Sequence, residues 1–199
     1  MKVMMLLVVC AALGCSANDT ADRTVDTTKP PAGGGATTPR PQPPAPSPAP
    51  SGSWVVTPFG VGPVRAGMTV AEAGTALGAP LTVTGDAKEC AYARADKAPE
   101  GLSFMVVDNH IVRVDVIRNK SIVTVEGARI GSSETRIDSL YQGRVTVQPH
   151  KYTDGHYLVV GSGAGSDTTN RIVFETDGKV VTMYRSGRMP EVGWVEGCS

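Results

Sequence analysis

Aromatic side chains are scarce, 5% of 199 residues, which leaves little material for a platform on which successive bases stack. Charge of either sign is not in excess. Lys plus Arg and Asp plus Glu number 19 each, and no basic stripe with interleaved aromatics stands out, so nucleic acid is not an expected partner. The apolar run Val3–Leu13 falls well short of the roughly 20 residues a helix needs to span a bilayer. No G-x-S-x-G elbow presents a serine for acyl transfer. The Gly-rich run Gly161–Asp167 has no Lys-Ser/Thr after it and leads into a strand, not a helix. It therefore reads as a long hairpin connection and not a phosphate loop.

What the sequence does have begins at the N-terminus. Met1-Lys2 gives a basic start, Val3–Leu13 an apolar core, and Ala12-Leu13-Gly14-Cys15 a small-residue ending, the layout of a removed secretory signal. The segment resembles a bacterial lipobox, with Ala12 where that motif usually carries Leu. The resemblance implies cleavage after residue 14, acylation of Cys15, and a membrane contact made through the lipid. Ser16 in the next position resembles the outer-membrane sorting pattern, where inner-membrane retention usually has Asp; the expected address is the outer membrane, facing the periplasm.

From Ser16 to Ser53 large apolar side chains are nearly absent, and proline alternates with Ala, Ser and Gln from Pro39 to Pro50. Such a segment buries too little to offset its ordering entropy. It is expected to serve as a tether, reaching between roughly 35 and 100 Å. Residues 15–53 are thus assigned to a lipidated N-terminus and Pro-rich spacer. Of four cysteines, Cys10 leaves with the signal and Cys15 takes lipid. Cys90 and Cys198 are expected to form one disulfide in an exported chain, with two free thiols or half a metal site as the alternatives.

Within 54–199 one pattern occurs twice. Val64–Ala73 (V-R-A-G-M-T-V-A-E-A) and Ala128–Ile137 (A-R-I-G-S-S-E-T-R-I) align Arg65 with Arg129, Gly67 with Gly131 and Thr69 with Ser133. Thr69 and Glu72 form a capping box, and Val70, Ala73 and Leu77 share one face up to the stop signals Gly78 and Pro80. In the second copy Ser133 is the cap, Ile137, Leu140 and Tyr141 form the apolar stripe, and Gly143 the end. Strands are expected at 81–84, 89–94, 102–107 and 111–117, then at 144–148, 156–161, 171–176 and 180–185. Val107–Ile111 and Asp177-Gly178 mark tight hairpins. The expected fold is α+β: two tandem repeats, 54–120 and 121–199, each a short helix packed on an antiparallel sheet of three to four strands.

The helix opening Arg65–Pro80, with its G-M-T…L-G-x-P pattern, resembles that of the small lipoprotein of the outer-membrane β-barrel assembly machinery. Tandem helix-plus-sheet units also resemble the β-lactamase inhibitor protein, and Pro190–Cys198 is similar to the ends of uncharacterised bacterial lipoproteins. These resemblances imply a non-enzymatic binding or envelope-assembly module, or else an inhibitor of a secreted enzyme.

The residues themselves offer little catalysis. His150, Asp154 and His156 gather between two strands with Lys151 and Tyr152, but a metal site needs three or four ligands with a supporting shell. No metal or other cofactor is expected. A polar loop is the plain reading, and use of His150, Lys151, Tyr152, Asp154, His156, Ser162 and Asp167 to hold a protein partner is the functional one, since binding residues concentrate on loops. An enzyme built on the His150–His156 loop is the least favoured reading. Asp108 and Asp115 read as a solvated pair, His110 as a solvated turn residue, and Trp194 as a core or edge anchor beside the disulfide.

Overall fold

A computed structural model describes residues 54–161 and 168–199. Strands β1 (Val55–Thr57), β2 (Gly60–Val61) and β3 (Val64–Arg65) precede helix α1 (Val70–Leu77). A four-strand meander follows: β4 (Leu81–Asp86), β5 (Cys90–Ala95), β6 (Leu102–Val107) and β7 (His110–Ile117). After β8 (Val123–Thr124) come α2 (Glu134–Leu140) and a second meander of β9 (Val145–Pro149), β10 (His156–Gly161), β11 (Asn170–Thr176) and β12 (Val181–Arg188). A 3-10 turn, Glu191–Gly193, begins the C-terminal segment.

The two meanders are not separate sheets. They join β7 to β12 in a single eight-stranded antiparallel sheet of order β4-β5-β6-β7-β12-β11-β10-β9. The short strands form a second sheet, β3-β2-β1-β8, in which β8 runs parallel to β1. At the seam Asp115 lies opposite Arg185 and Val114 opposite Ser186.

Register assigns the two faces of the large sheet. Phe104, Val114, Val116, Leu158, Phe174 and Tyr184 point to the inner face, where Ala73 of α1, Ile137 of α2 and Val56 and Val61 of the small sheet meet them in one core. Phe174 packs between Tyr141 and Tyr184, at centroid distances of 5.7 and 5.4 Å. The tyrosine hydroxyls stay satisfied: Tyr141 donates to Thr124 Oγ1 at 2.7 Å and Tyr184 to the Ile122 carbonyl at 2.9 Å. Burial pushes both phenols above their ordinary pKa.

Both helices start by the same backbone bonds to the hairpin that ends their meander. Gly67 N–H donates to Ile111 O at 2.7 Å, and Ile111 N–H to Met68 O at 2.7 Å. In the second half Gly131 N–H donates to Val181 O at 2.8 Å, and Val181 N–H to Ser132 O at 2.9 Å. Gly67 and Gly131 hold φ of 96° and 91°, left-handed values that an L side chain resists. The capping box is present at α1, with Thr69 Oγ1 accepting from Glu72 N–H and Glu72 Oε2 accepting from Thr69 N–H. Gly78 closes α1 in the left-handed conformation. Helix α2 ends at Tyr141, two residues before the expected Gly143, because the Tyr141 ring turns into the core.

Candidate functional site

On the outer face the sheet carries a charged stripe that alternation would place in solvent. Arg113, Asp115 and Arg185 are instead buried, 3%, 2% and 2% exposed. The cover is the C-terminal segment, tied down by the Cys90–Cys198 disulfide. Arg113 forks onto Asp115 through Nε at 3.0 Å and Nη2 at 2.9 Å. Its Nη1 donates to the carbonyls of Glu191 at 3.0 Å and Trp194 at 2.7 Å. Arg185 donates from Nε to the Val192 carbonyl at 2.8 Å and from Nη1 to Glu175 at 3.0 Å. Two arginines thus hold the backbone of an irregular segment whose carbonyls would otherwise be buried without donors. Val192 completes the contact, packing with Tyr157 and Val173.

Gly197 sits flat on Tyr92; a Cβ there would lie 2.4 Å from the Tyr92 hydroxyl oxygen. That hydroxyl accepts from Arg113 Nη2 at 3.2 Å, and burial raises its pKa. Burial likewise lifts the Asp115 carboxyl above the ordinary range, against the pull of Arg113. The reading of Asp108 and Asp115 as a solvated pair is therefore corrected: Asp108 is exposed in its turn, while Asp115 is an interior ion held by Arg113. Of the two positions read for Trp194, core or edge, the structure has the edge. Its indole is 37% exposed, outside the core, and the anchoring is done by its carbonyl.

The His150–His156 loop separates into different jobs. The His150 side chain is 7% exposed, stacks on Tyr157 at 4.6 Å and bonds Glu175 through Nε2 at 3.0 Å. Its Nδ1 accepts from the backbone N–H of Tyr152 and Thr153 at 3.0 and 3.1 Å, which makes it the pivot of the loop. His156 faces α2, bonding Glu134 through Nδ1 at 2.8 Å. Asp154 is exposed. Because the two histidines bond different carboxylates on different elements, His150, Asp154 and His156 do not form one acid–base site. Among the described residues no group of three His, Cys, Asp or Glu is placed to hold a metal ion. Ser162 and Asp167 lie outside the described residues.

Lys151 and Tyr152 reach the C-terminal segment instead. Lys151 Nζ pairs with Glu196 at 2.6 Å and the Tyr152 hydroxyl donates to the same carboxylate. The bond from Lys151 depresses the Glu196 pKa and raises that of Lys151. Tyr152 and Trp194 remain 60% and 37% exposed. Lys151, Trp194, Val195 and Glu196 line a shallow depression of about 280 Å³. Loop and C-terminal segment, distant in sequence, thus build one surface with two exposed aromatics and a cation. Sequence reasoning named the loop, and missed Glu175, which holds it through His150, Arg185, which holds Glu175, and Arg113, which holds the C-terminal segment.

No protein-family model, curated protein or solved structure matches this chain. No helix among the described residues is long and apolar enough to cross a membrane.

Proposed function

We propose that this chain is an exported lipoprotein, acylated at Cys15, whose body from residue 54 onward is a non-enzymatic protein-binding module. It hangs from the outer membrane into the periplasm on the Pro-rich tether, with residues 1–14 removed. The observation that carries the binding role is the surface where Tyr152, Lys151, Glu196 and Trp194 meet. Exposed tyrosine and tryptophan are among the residue types that dominate binding energy at protein interfaces. The buried arginines beneath hold that surface in place, which lowers the ordering cost of capture.

The body is further read as a tandem duplication. Matching backbone bonds at Gly67–Met68 and Gly131–Ser132, each to the hairpin closing a four-strand meander, support that reading. So does the mirrored strand order on either side of the seam.

A photo-crosslinking side chain placed at Tyr152 or Trp194 of the full-length lipoprotein, in cells, tests the binding surface. One envelope protein captured at both positions and not at exposed Thr82 is expected; capture at neither position discards the role. A captured secreted hydrolase would assign the protein to inhibition, as the alternative reading has it. For the anchor, Cys15→Ala is expected to move the chain from membrane to soluble fractions, and unchanged fractionation removes the lipid.

A further inference from the structure

We propose that the uncovered end of the outer face holds a binding site for a phosphate group, in a cleft formed by Arg94, Ser103, Arg118 and Lys120. This stands independently of the protein-binding role. The cleft encloses about 710 Å³, within the range of small-molecule sites. It lies where the C-terminal segment does not reach, between the Arg94 end of β5 and the turn that follows β7.

Charge and hydrogen bonding both point to an anion. Arg94, Arg118 and Lys120 line the cleft against a single carboxylate, Glu100, and none of the three cations makes an ion pair within the described residues. Arg113 and Arg185, by contrast, are already paired, Arg113 with Asp115 and Arg185 with Glu175. Ser103, 6% exposed, also lines the cleft, and its hydroxyl has no hydrogen-bond partner among the described residues. The hydroxyl opens onto the cleft and offers a donor to a ligand oxygen.

The cations are held over the cleft by local structure. Asn119 Nδ2 donates to the Glu100 carbonyl at 2.7 Å while its Oδ1 accepts from Ser121 N–H at 2.9 Å. Through the Glu100 carbonyl they fasten the turn that carries Arg118 and Lys120 to the β5–β6 turn across the cleft. Arg118 itself holds φ of 63°, a left-handed conformation that non-glycine residues adopt at an energetic cost and that concentrates at binding sites. Two planar guanidinium forks, one ammonium and one hydroxyl suit the several oxygens of a phosphate better than the two of a carboxylate.

The phosphate could be carried by a soluble phosphorylated compound or by a lipid headgroup, and the test separates them. The full chain carrying Cys15→Ser, so that no acyl chain intervenes, is titrated calorimetrically with inorganic phosphate and with phenyl phosphate. It is also floated with phosphatidylcholine vesicles with or without phosphatidylglycerol. Saturable binding weakened about tenfold by Arg94→Gln or Arg118→Asn is expected, with Lys88→Gln, in a distant turn, leaving it unchanged. Ser103→Ala should weaken it less. Flotation that needs phosphatidylglycerol and is lost in Arg118→Asn assigns a headgroup; binding of phenyl phosphate without flotation assigns a soluble ligand. Lys120→Gln, at an exposed turn position, serves if the Arg118 variant fails to fold. No saturable binding of any probe, or binding indifferent to Arg94→Gln and Lys120→Gln, overturns the site.

Discussion

The two halves of the large sheet agree on one face and part company on the other. Toward the core, each helix opens through the same pair of backbone bonds, and each meander sends its apolar side chains inward. On the outer face the C-terminal segment covers Tyr157, Val159 and Val173 of the second half and reaches Arg113, Tyr92 and Cys90 of the first, while Thr82, Thr84 and Arg94 stay exposed. The reason is local. Strand β7 ends at Ile117 and the chain departs toward β8 on the inner side; β12 ends at Arg188 and the chain turns back over the sheet, with Glu191 neutralising Arg188 at 3.2 Å. The returning segment covers the outer face as far as Tyr92 and Cys90 of β5 and leaves the Arg94 end of the first meander open.

Opening the covered face should have the largest effect. With Cys90→Ser and Cys198→Ser together, the residue separation of 108 released from its cross-link predicts a loss of about 5 kcal/mol in urea unfolding of the full chain. Amide exchange around Tyr157 and Val173 should rise toward the level of Thr82 to Thr84, while α1 and α2 keep their protection. If exchange stays low over that face, the arginines hold the segment without the bridge. Next is Asp115→Ala, which strands the Arg113 charge in the interior and should cost about 3 kcal/mol. Asp115→Asn, which keeps a hydrogen bond to the guanidinium, should cost about half of that. A change under about 0.5 kcal/mol in Asp115→Ala would mean that the carbonyls of Glu191 and Trp194 satisfy Arg113 by themselves.

Much of the sheet was legible because one-sided burial writes alternation into sequence. In β4, Leu81-Thr82-Val83-Thr84 alternates and its outer face is exposed. In β11, Ile172-Val173-Phe174 is continuous, and both faces there are buried. Three features escaped. The small sheet is built of strands of two or three residues, too short for any period to show. The joining of two meanders across β7 and β12 depends on a non-local pairing that neither strand's pattern specifies. Arg113 and Asp115 follow a V-R-V-D-V alternation that assigns them to solvent, and only the arrival of residues 191–194 makes them interior. Lys151 and Tyr152 were singled out for their position in a polar loop; their partner Glu196 lies beyond the reach of local pattern.

The smallest effect tests how differently the two halves fasten equivalent helix starts. In the first half Glu72 reaches back to Thr69 N–H, a bond that glutamine also makes in capping boxes, so Glu72→Gln should be nearly silent. The second half has Arg136 at the corresponding position and lacks that bond; Glu134 anchors α2 instead, accepting from Thr176 Oγ1 and bonding His156 Nδ1. Partial burial raises the Glu134 pKa, but the bonds from Thr176 and His156 outweigh it and leave the carboxyl below its ordinary value. A depressed carboxylate stabilises the fold above its unfolded pKa, and that contribution is lost as pH falls through the folded value. Glu134→Gln should therefore cost about 1 kcal/mol at neutral pH, with the exposed edge of the group screening the remainder. The gap between wild type and variant should narrow as the medium is acidified below about 4.3. Thermal unfolding of both chains from pH 7 downward measures it: a gap that stays constant into acid would show that the variant loses packing at the α2 start and not the ionised bond to Thr176 and His156.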